Sequence, residues 1–98
     1  MTVEEQVKQS ARELTKKTGL LHTLQYLNGF PCVMISDKIR SAEGKRLMVG
    51  DTVWMDNVYW TIREVSENDN GTLDIRLRYG GCRETITVEN CKDMHYRW

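Results

Sequence analysis

The sequence predicts one α+β domain spanning 1–98, in which an N-terminal helix and a β-hairpin precede a five-stranded antiparallel barrel. Three observations support this prediction. The stretch 1–18 has the capping residues and charge distribution typical of a helix. An Asn-Gly pair divides the apolar runs of 20–35, which is a strong short-range signal for a hairpin. From 46 to 98, short apolar runs alternate with Asn, Asp and Gly turns, a pattern typical of a meander that curls into a barrel.

Composition and charge narrow the classes of function. Lysine plus arginine equals aspartate plus glutamate, 14 each, so the formal net charge is zero. The zero net charge argues against strong non-specific nucleic-acid binding. It does not exclude a local basic patch. Three cysteines without a close pair favour reduced thiols in a cytoplasmic protein. The first residues contain neither a basic start nor an apolar run, so we expect no signal peptide and no membrane span.

The first element is a helix predicted over 2–17. Thr2 and Glu5 have the spacing of a capping box, and Gly19 suits the left-handed position that follows a helix. The apolar stripe is thin, so we expect the helix to lie across the barrel or across a partner rather than to form the core. Opposite charges at i,i+4 spacing also predict two ion pairs, Glu4–Lys8 and Glu13–Lys17.

The segment 20–35 allows two interpretations. The hairpin interpretation places the turn at Asn28 and Gly29 and puts Pro31 near the turn on an edge strand. The rival interpretation makes 20–27 a second helix that ends at the same glycine, because leucines also recur there at helical spacing. We favour the hairpin, and the helix stays open as the alternative.

The next segment, 36–45, is mostly polar and charged and contains Gly44. Such a composition is typical of surface loops. We predict that it is a surface loop and the most mobile part of the chain.

Alternation within the barrel region predicts which side chains form the core. In 58–65, Trp60 and Ile62 share a face, and Val65 joins them if a β-bulge intervenes. In 72–79 the inward set is Leu73, Ile75, Leu77 and Tyr79, and the outward set is Asp74, Arg76 and Arg78. Trp60 and Tyr79 are the aromatic residues predicted in the core. The other predicted strands are 51–55, 83–88 and a closing strand, 94–98.

Four short motifs in this region resemble the SH3-like small barrel, especially its KOW and Tudor kinds. They are Val-Gly-Asp-Thr-Val at 49–53, Trp-Thr-Ile-Arg-Glu-Val at 60–65, Gly-Thr-Leu-Asp-Ile at 71–75 and Thr-Val-Glu-Asn-Cys-Lys at 87–92. The resemblance is one of fold and covers about half of the chain. It implies an SH3-like architecture, and it implies a KOW- or Tudor-like nucleic-acid-binding module as one possible function.

Candidate catalytic and metal-binding residues are few. Cys82, Cys91 and His95 are the candidate metal ligands, but structural zinc sites usually contain two tight ligand pairs and this chain has none. Cys91 is also the candidate nucleophile, with Asp93 and His95 beside it, yet three neighbours on one short turn rarely converge on one substrate atom. No phosphate-binding glycine loop is present. We therefore predict no metal, no cofactor and no enzymatic activity.

The outer side of the barrel is predicted to carry four arginines: Arg63, Arg76, Arg78 and Arg83. Neighbouring strands bring such residues into contact range, where guanidinium groups suit a phosphate, a carboxylate or a nucleic-acid backbone. The alternative is a solvated face on which nearby acidic residues neutralise the arginines: Glu64, Asp74, Glu84 and Glu89. The zero net charge favours this alternative.

Trp54 and Tyr59 are the candidate anchors for a partner. Each lies in a strand where alternation turns one aromatic side chain outward. Exposed Trp and Tyr side chains often form the hot spots of protein interfaces. The alternative is that the N-terminal helix or the hairpin covers both of them.

These observations predict a non-enzymatic module that binds another protein. Its size and lack of catalytic motifs are typical of small regulators or inhibitors of phage or mobile-element type, including anti-CRISPR proteins. One alternative is a nucleic-acid-binding module that uses the arginine face. Another is a binder of a small anionic nucleotide held by Arg76 and Arg78.

Overall fold

The structure is a computed structural model that describes residues 1–97. The elements follow in chain order as α1 (Val3–Thr18), β1 (His22–Leu27), β2 (Phe30–Ile35), β3 (Thr52–Met55), β4 (Val58–Glu67), β5 (Leu73–Tyr79), β6 (Cys82–Val88) and β7 (His95–Tyr96), with a 3-10 turn at Asp37–Ile39. The predicted α+β class is confirmed. The predicted end of the closing strand, Trp98, lies outside the described residues.

Helix α1 begins and ends where its capping residues predict. The hydroxyl of Thr2 accepts a hydrogen bond from the N–H of the third helical residue at 3.1 Å. Gly19 has a left-handed backbone with φ of 76°, and a Cβ at this position would lie 3.2 Å from the Cβ of Val49. Glycine is therefore needed both for the turn and for the close approach. Neither predicted ion pair forms among residues 1–97, so Lys8 has no carboxylate partner there.

Strands β1 and β2 form the predicted hairpin, and the rival interpretation of a second helix is wrong. Asn28 and Gly29 have φ angles of 51° and 81°, the positive values that a two-residue turn between twisted strands requires. Helix α1 packs against both strands. The hydroxyl of Thr15 accepts from the N–H of His22 and donates to the carbonyl of Ala11, both at 2.8 Å, so it joins the helix to the hairpin.

The other five strands form one antiparallel sheet in the order β6-β5-β4-β3-β7. Its edge strands, β6 and β7, do not pair with each other among residues 1–97, so the sheet is open and the predicted closure into a barrel is wrong. The core does not need that closure, because loop residues cover the inner face instead. Ile39 and Leu47 are both fully buried there.

The core lies on one face of the five-stranded sheet. Its strand residues are Val53, Trp60, Ile62, Val65, Leu73, Ile75 and Leu77. The predicted bulge is confirmed, since the β4–β5 register shifts between Ile62 and Glu64 and returns Val65 to the inner face. Tyr79 was predicted in the core but is 52% exposed, because it ends β5 beside the turn, where its ring meets that of Trp60 edge-to-face.

The segment 36–45 is exposed over most of its length, as its composition predicts, but it is anchored at several points. Ile39 anchors it in the core, and two of its serines are also buried. The carboxylate of Glu43 accepts the N–H of Tyr96 and lies 2.8 Å from Nδ1 of His95, which ties the segment to β7. The bond from Tyr96 and then the bond from His95 hold the pKa of Glu43 below its ordinary value.

Candidate functional site

The outer face of the five-stranded sheet, opposite the core, carries a row of polar side chains that crosses four strands, from β6 to β3. Residues that pair directly in antiparallel strands point to the same face. Arg83 pairs with Arg78, and Arg78 pairs with Thr61. Thr61 in turn pairs with Thr52. The N–H of Arg97 donates to the carbonyl of Thr52 at 3.0 Å, so the row extends to the residue that follows β7.

Two neighbouring arginines of this row, on β5 and β6, have no carboxylate partner among residues 1–97. They are Arg78 and Arg83, which oppose each other across these strands. Like charges directly opposite each other destabilise an antiparallel pair. Arg76 differs, because its guanidinium lies 3.2 Å from the carboxylate of Glu64. The predicted neutralisation therefore occurs at Arg76 and not at the other two.

The remaining acidic candidates are engaged elsewhere or face away. Asp74 accepts hydrogen bonds from the amide of Asn68 at 3.0 Å and from the hydroxyl of Thr87 at 2.7 Å. These two bonds hold the pKa of Asp74 below its ordinary value. Glu84 pairs in register with a core-facing residue of β5, so it lies on the opposite face. Glu89 follows the end of β6 and forms no ion pair within the described chain.

The aromatic candidates lie together on the same outer face. The rings of Trp54 and Tyr59 meet edge-to-face with centroids 4.6 Å apart, and the guanidinium of Arg97 lies 4.6 Å from the Tyr59 centroid. Trp54 is 37% exposed and Tyr59 is 45% exposed. Helix α1 packs mainly against β1 and β2 and makes a smaller contact with β4. The alternative that the helix or the hairpin covers this aromatic pair is therefore wrong.

Arg63 does not join the row. It is the extra residue of the bulge in β4 and has no cross-strand partner in the β4–β5 register. It lines a cleft that β4 forms with α1 and β1. The predicted group of four arginines is consequently split, with Arg76, Arg78 and Arg83 on the outer face and Arg63 at the cleft.

Arg97 is the outer-face residue that the sequence analysis missed. Alternation in the last strand does contain a signal, because it gives Arg97 and His95 the same parity. The register then places His95 opposite Trp54. The sequence does not show which strand pairs with β7. In the structure β7 pairs with β3, which precedes it by about forty residues, and this pairing brings Arg97 onto Tyr59.

The candidate metal ligands and the candidate nucleophile do not converge. Cys91 is buried, Cys82 is exposed on β6, and His95 is exposed and held by Glu43. Among residues 1–97, no three His, Cys, Asp or Glu side chains are arranged to hold a metal ion. Burial raises the pKa of Cys91 to about 12, so this thiol stays protonated and unreactive at neutral pH.

We expect iodoacetamide to alkylate Cys82 in the folded protein much faster than Cys91. The reactive species is the thiolate, and alkylation also requires access to solvent, which Cys82 has and Cys91 lacks. Mass spectrometry of the digested protein after timed labelling would give both rates. Labelling in denaturant is the control, where the two cysteines should react alike. Comparable rates in the folded protein would contradict the burial of Cys91.

No family model matches the chain, and no curated protein or solved structure matches it significantly. No helix within residues 1–97 is both long enough and apolar enough to cross a membrane. The resemblance to SH3-like barrels thus depends on the four sequence motifs alone, because the open sheet lacks the closure of such a barrel.

Proposed function

We propose that the protein is a non-enzymatic module that binds another protein through the outer face of its five-stranded sheet. The observation that carries this proposal is that one exposed face brings together the three residue types most enriched in binding hot spots. Its members are Trp54, Tyr59, Arg78, Arg83 and Arg97.

The charge of this face points to an acidic partner surface. Arg78 and Arg83 lie on adjacent strands, where backbones are about 4.8 Å apart, and each guanidinium can bind a carboxylate through two hydrogen bonds. A carboxylate placed between them would replace their mutual repulsion with attraction. Trp54, two strands from Arg78, supplies the apolar contact that such an interface needs at its centre.

The packing of the aromatic pair supports a protein partner over a nucleic acid. Proteins that bind single strands leave aromatic ring faces open so that bases stack on them. Here Arg97 lies over the ring of Tyr59, and Trp54 contacts the same ring edge-to-face. The zero net charge also provides little long-range attraction for a phosphate backbone. A nucleic-acid-binding module of KOW or Tudor kind is the alternative that the test below separates.

A module of this kind acts by occupying a surface of its partner. This is the mode of action expected of a small regulator or inhibitor of phage or mobile-element type, such as an anti-CRISPR protein. Cys32, Cys82 and Cys91 are free thiols, which supports a location in the reducing environment of the cytoplasm.

Replacing Arg78 with glutamate should weaken partner binding about tenfold or more without harming the fold. The substitution turns an Arg–Arg repulsion into a Glu–Arg attraction, and such cross-strand pairs contribute roughly 0.2–1 kcal/mol, so the melting temperature should stay the same or rise. The tagged chain 1–98 would capture its partner from host lysate with and without nuclease treatment, and mass spectrometry would identify it. Calorimetry with the purified partner should then show at least an approximately tenfold loss of affinity for the variant.

Arg63→Glu is the matched control, because it makes the same change in net charge at the cleft rather than on the outer face. It should bind the partner like the wild type. Equal losses in both variants would show that net charge, and not the outer face, determines binding. Capture that disappears after nuclease treatment and falls steeply with added salt would replace the proposal with nucleic-acid binding.

A further inference from the structure

A cleft of about 660 Å³ lies between α1, β1 and the bulged half of β4. This volume is within the range of roughly 300–1,000 Å³ that is usual for small-molecule sites. The accessible apolar lining of the cleft includes Val49, which is 39% exposed, and the half-buried Leu24, and behind them lie buried core side chains. The cleft therefore offers an apolar surface to the ring of a small ligand.

Cationic side chains surround this apolar surface. The four that line the cleft are Lys8, Arg12, Lys16 and Arg63. Those on α1 are spaced four residues apart, so they lie on one face of the helix, and like charges at this spacing repel one another. None of the four forms an ion pair with another residue of 1–97. An anionic group in the cleft would relieve this repulsion from both the helix side and the sheet side.

Carboxylates and neutral polar groups also line the cleft. The carboxylate of Glu64 is occupied by Arg76, whereas Glu67 and Asp69, at the end of β4 and in the turn after it, have no ion-pair partner within the described residues. Carboxylates of this kind accept hydrogen bonds from ribose hydroxyls in dinucleotide sites. His22 donates from Nδ1 to the carbonyl of Leu20 at 2.7 Å, so its Nε2 is left without a partner among residues 1–97.

We propose that this cleft binds a nucleotide. Its phosphate lies against Lys8, Arg12, Lys16 and Arg63, its base lies on the apolar surface, and its ribose hydroxyls donate to Glu67 or Asp69. A ligand that is only an anion would leave the apolar surface unused, and an apolar acid would leave the carboxylates without donors. The sequence predicted an anionic nucleotide at Arg76 and Arg78, but the first of these is already paired with Glu64. This site is separate from the protein-binding face and stands or falls independently of it.

Calorimetry and thermal unfolding of the full chain would test the site with AMP, GMP, UMP and cyclic diguanylate. Adenosine, guanosine, uridine and inorganic pyrophosphate are the fragment probes. At least one nucleotide should raise the melting temperature, because a ligand that binds only the folded state stabilises it. That nucleotide should bind at least about tenfold more tightly than its own nucleoside or pyrophosphate, since neither fragment uses both the cations and the apolar surface. No stabilisation by any of the four nucleotides, or equal affinity for pyrophosphate, would overturn the proposal.

Two substitutions locate the site. Arg12→Ala and Arg63→Ala should each weaken nucleotide binding by about tenfold or more, one from the helix and one from the sheet. The matched controls are Lys17→Ala, which removes an exposed cation of α1 that does not line the cleft, and Arg78→Ala on the outer face. Both controls should bind like the wild type, and all four variants should keep the wild-type circular dichroism spectrum without ligand. If Lys17→Ala weakens binding as much as Arg12→Ala, the attraction is one of general charge and the cleft is not the site.

Discussion

Replacing Trp54 with alanine should weaken binding of the captured partner protein at least about 30-fold, or ~2 kcal/mol. Trp54 combines a large exposed ring with a fixed position, because Tyr59 contacts it at 4.6 Å between centroids and Arg97 lies over Tyr59. A side chain that is already ordered loses little conformational entropy when it docks. Calorimetry or surface plasmon resonance with the purified partner would measure the change.

The control for this prediction is Phe30→Ala. Phe30 is 73% exposed at the tip of the β1–β2 hairpin, so the substitution removes even more exposed aromatic surface, but from another element. It should change the affinity by less than about twofold, within the usual effect of residues outside a hot spot. If Phe30→Ala abolishes binding and Trp54→Ala does not, the partner docks on the hairpin and the proposed face is wrong.

Trp54 and Tyr59 should also act as one unit. Because their rings touch, the loss in the Trp54→Ala, Tyr59→Ala double variant should be smaller than the sum of the two single losses. Thermal unfolding of each variant, compared with the wild type, checks that any loss of binding occurs in a folded protein.

Replacing Ile75 with alanine should have the largest effect on stability, a loss of about 2–5 kcal/mol. Ile75 is fully buried, and its neighbours in register are Val65 on β4 and Ile86 on β6, so the cavity left behind has strands on both sides. Domains of this size are stable by only about 5–15 kcal/mol, so the variant would lose a large share of its stability. Chemical denaturation followed by circular dichroism would measure the loss.

Ile86→Ala is the matched control, because the same side chain is shortened one strand away. Ile86 is half-buried on the edge strand β6, so its truncation should cause less than half of the destabilisation of Ile75→Ala. Equal losses at Ile86 and Ile75 would show that β6 is covered in solution, by a closing strand or by a second copy of the chain, and would contradict the open sheet.

Local patterns in the chain were sufficient for much of this fold. The turn at Asn28 and Gly29 follows from two residues that tolerate positive φ, and the bulge in β4 follows from the broken spacing of Ile62 and Val65. The inward and outward parity of Leu77 and Arg78 follows from the pleat of a strand. Each of these features depends on neighbours within a few residues, and such neighbours are visible in the sequence.

The candidate site was only partly predictable, because it depends on residues that are distant in the sequence. Whether an outward arginine meets a carboxylate depends on strand register. In the observed register, Arg76 lies opposite Glu64 and is neutralised by it, whereas Arg78 lies opposite Arg83. Parity alone could not predict that difference. The burial of Tyr79 was also predicted from parity alone, but position along the strand decided it, because the covering residues do not extend over the end of β5.

The sequence by itself determined the elements, their turns and the face on which each strand residue lies, because these depend on short-range backbone geometry. Only the tertiary structure decided which distant segments meet. It joined Glu43 to His95, left the sheet open, placed Arg97 on Tyr59, and enclosed the cleft with α1 and Arg63. Such contacts form when separate elements pack around one buried core, and this packing cannot be read directly from a single amino-acid sequence.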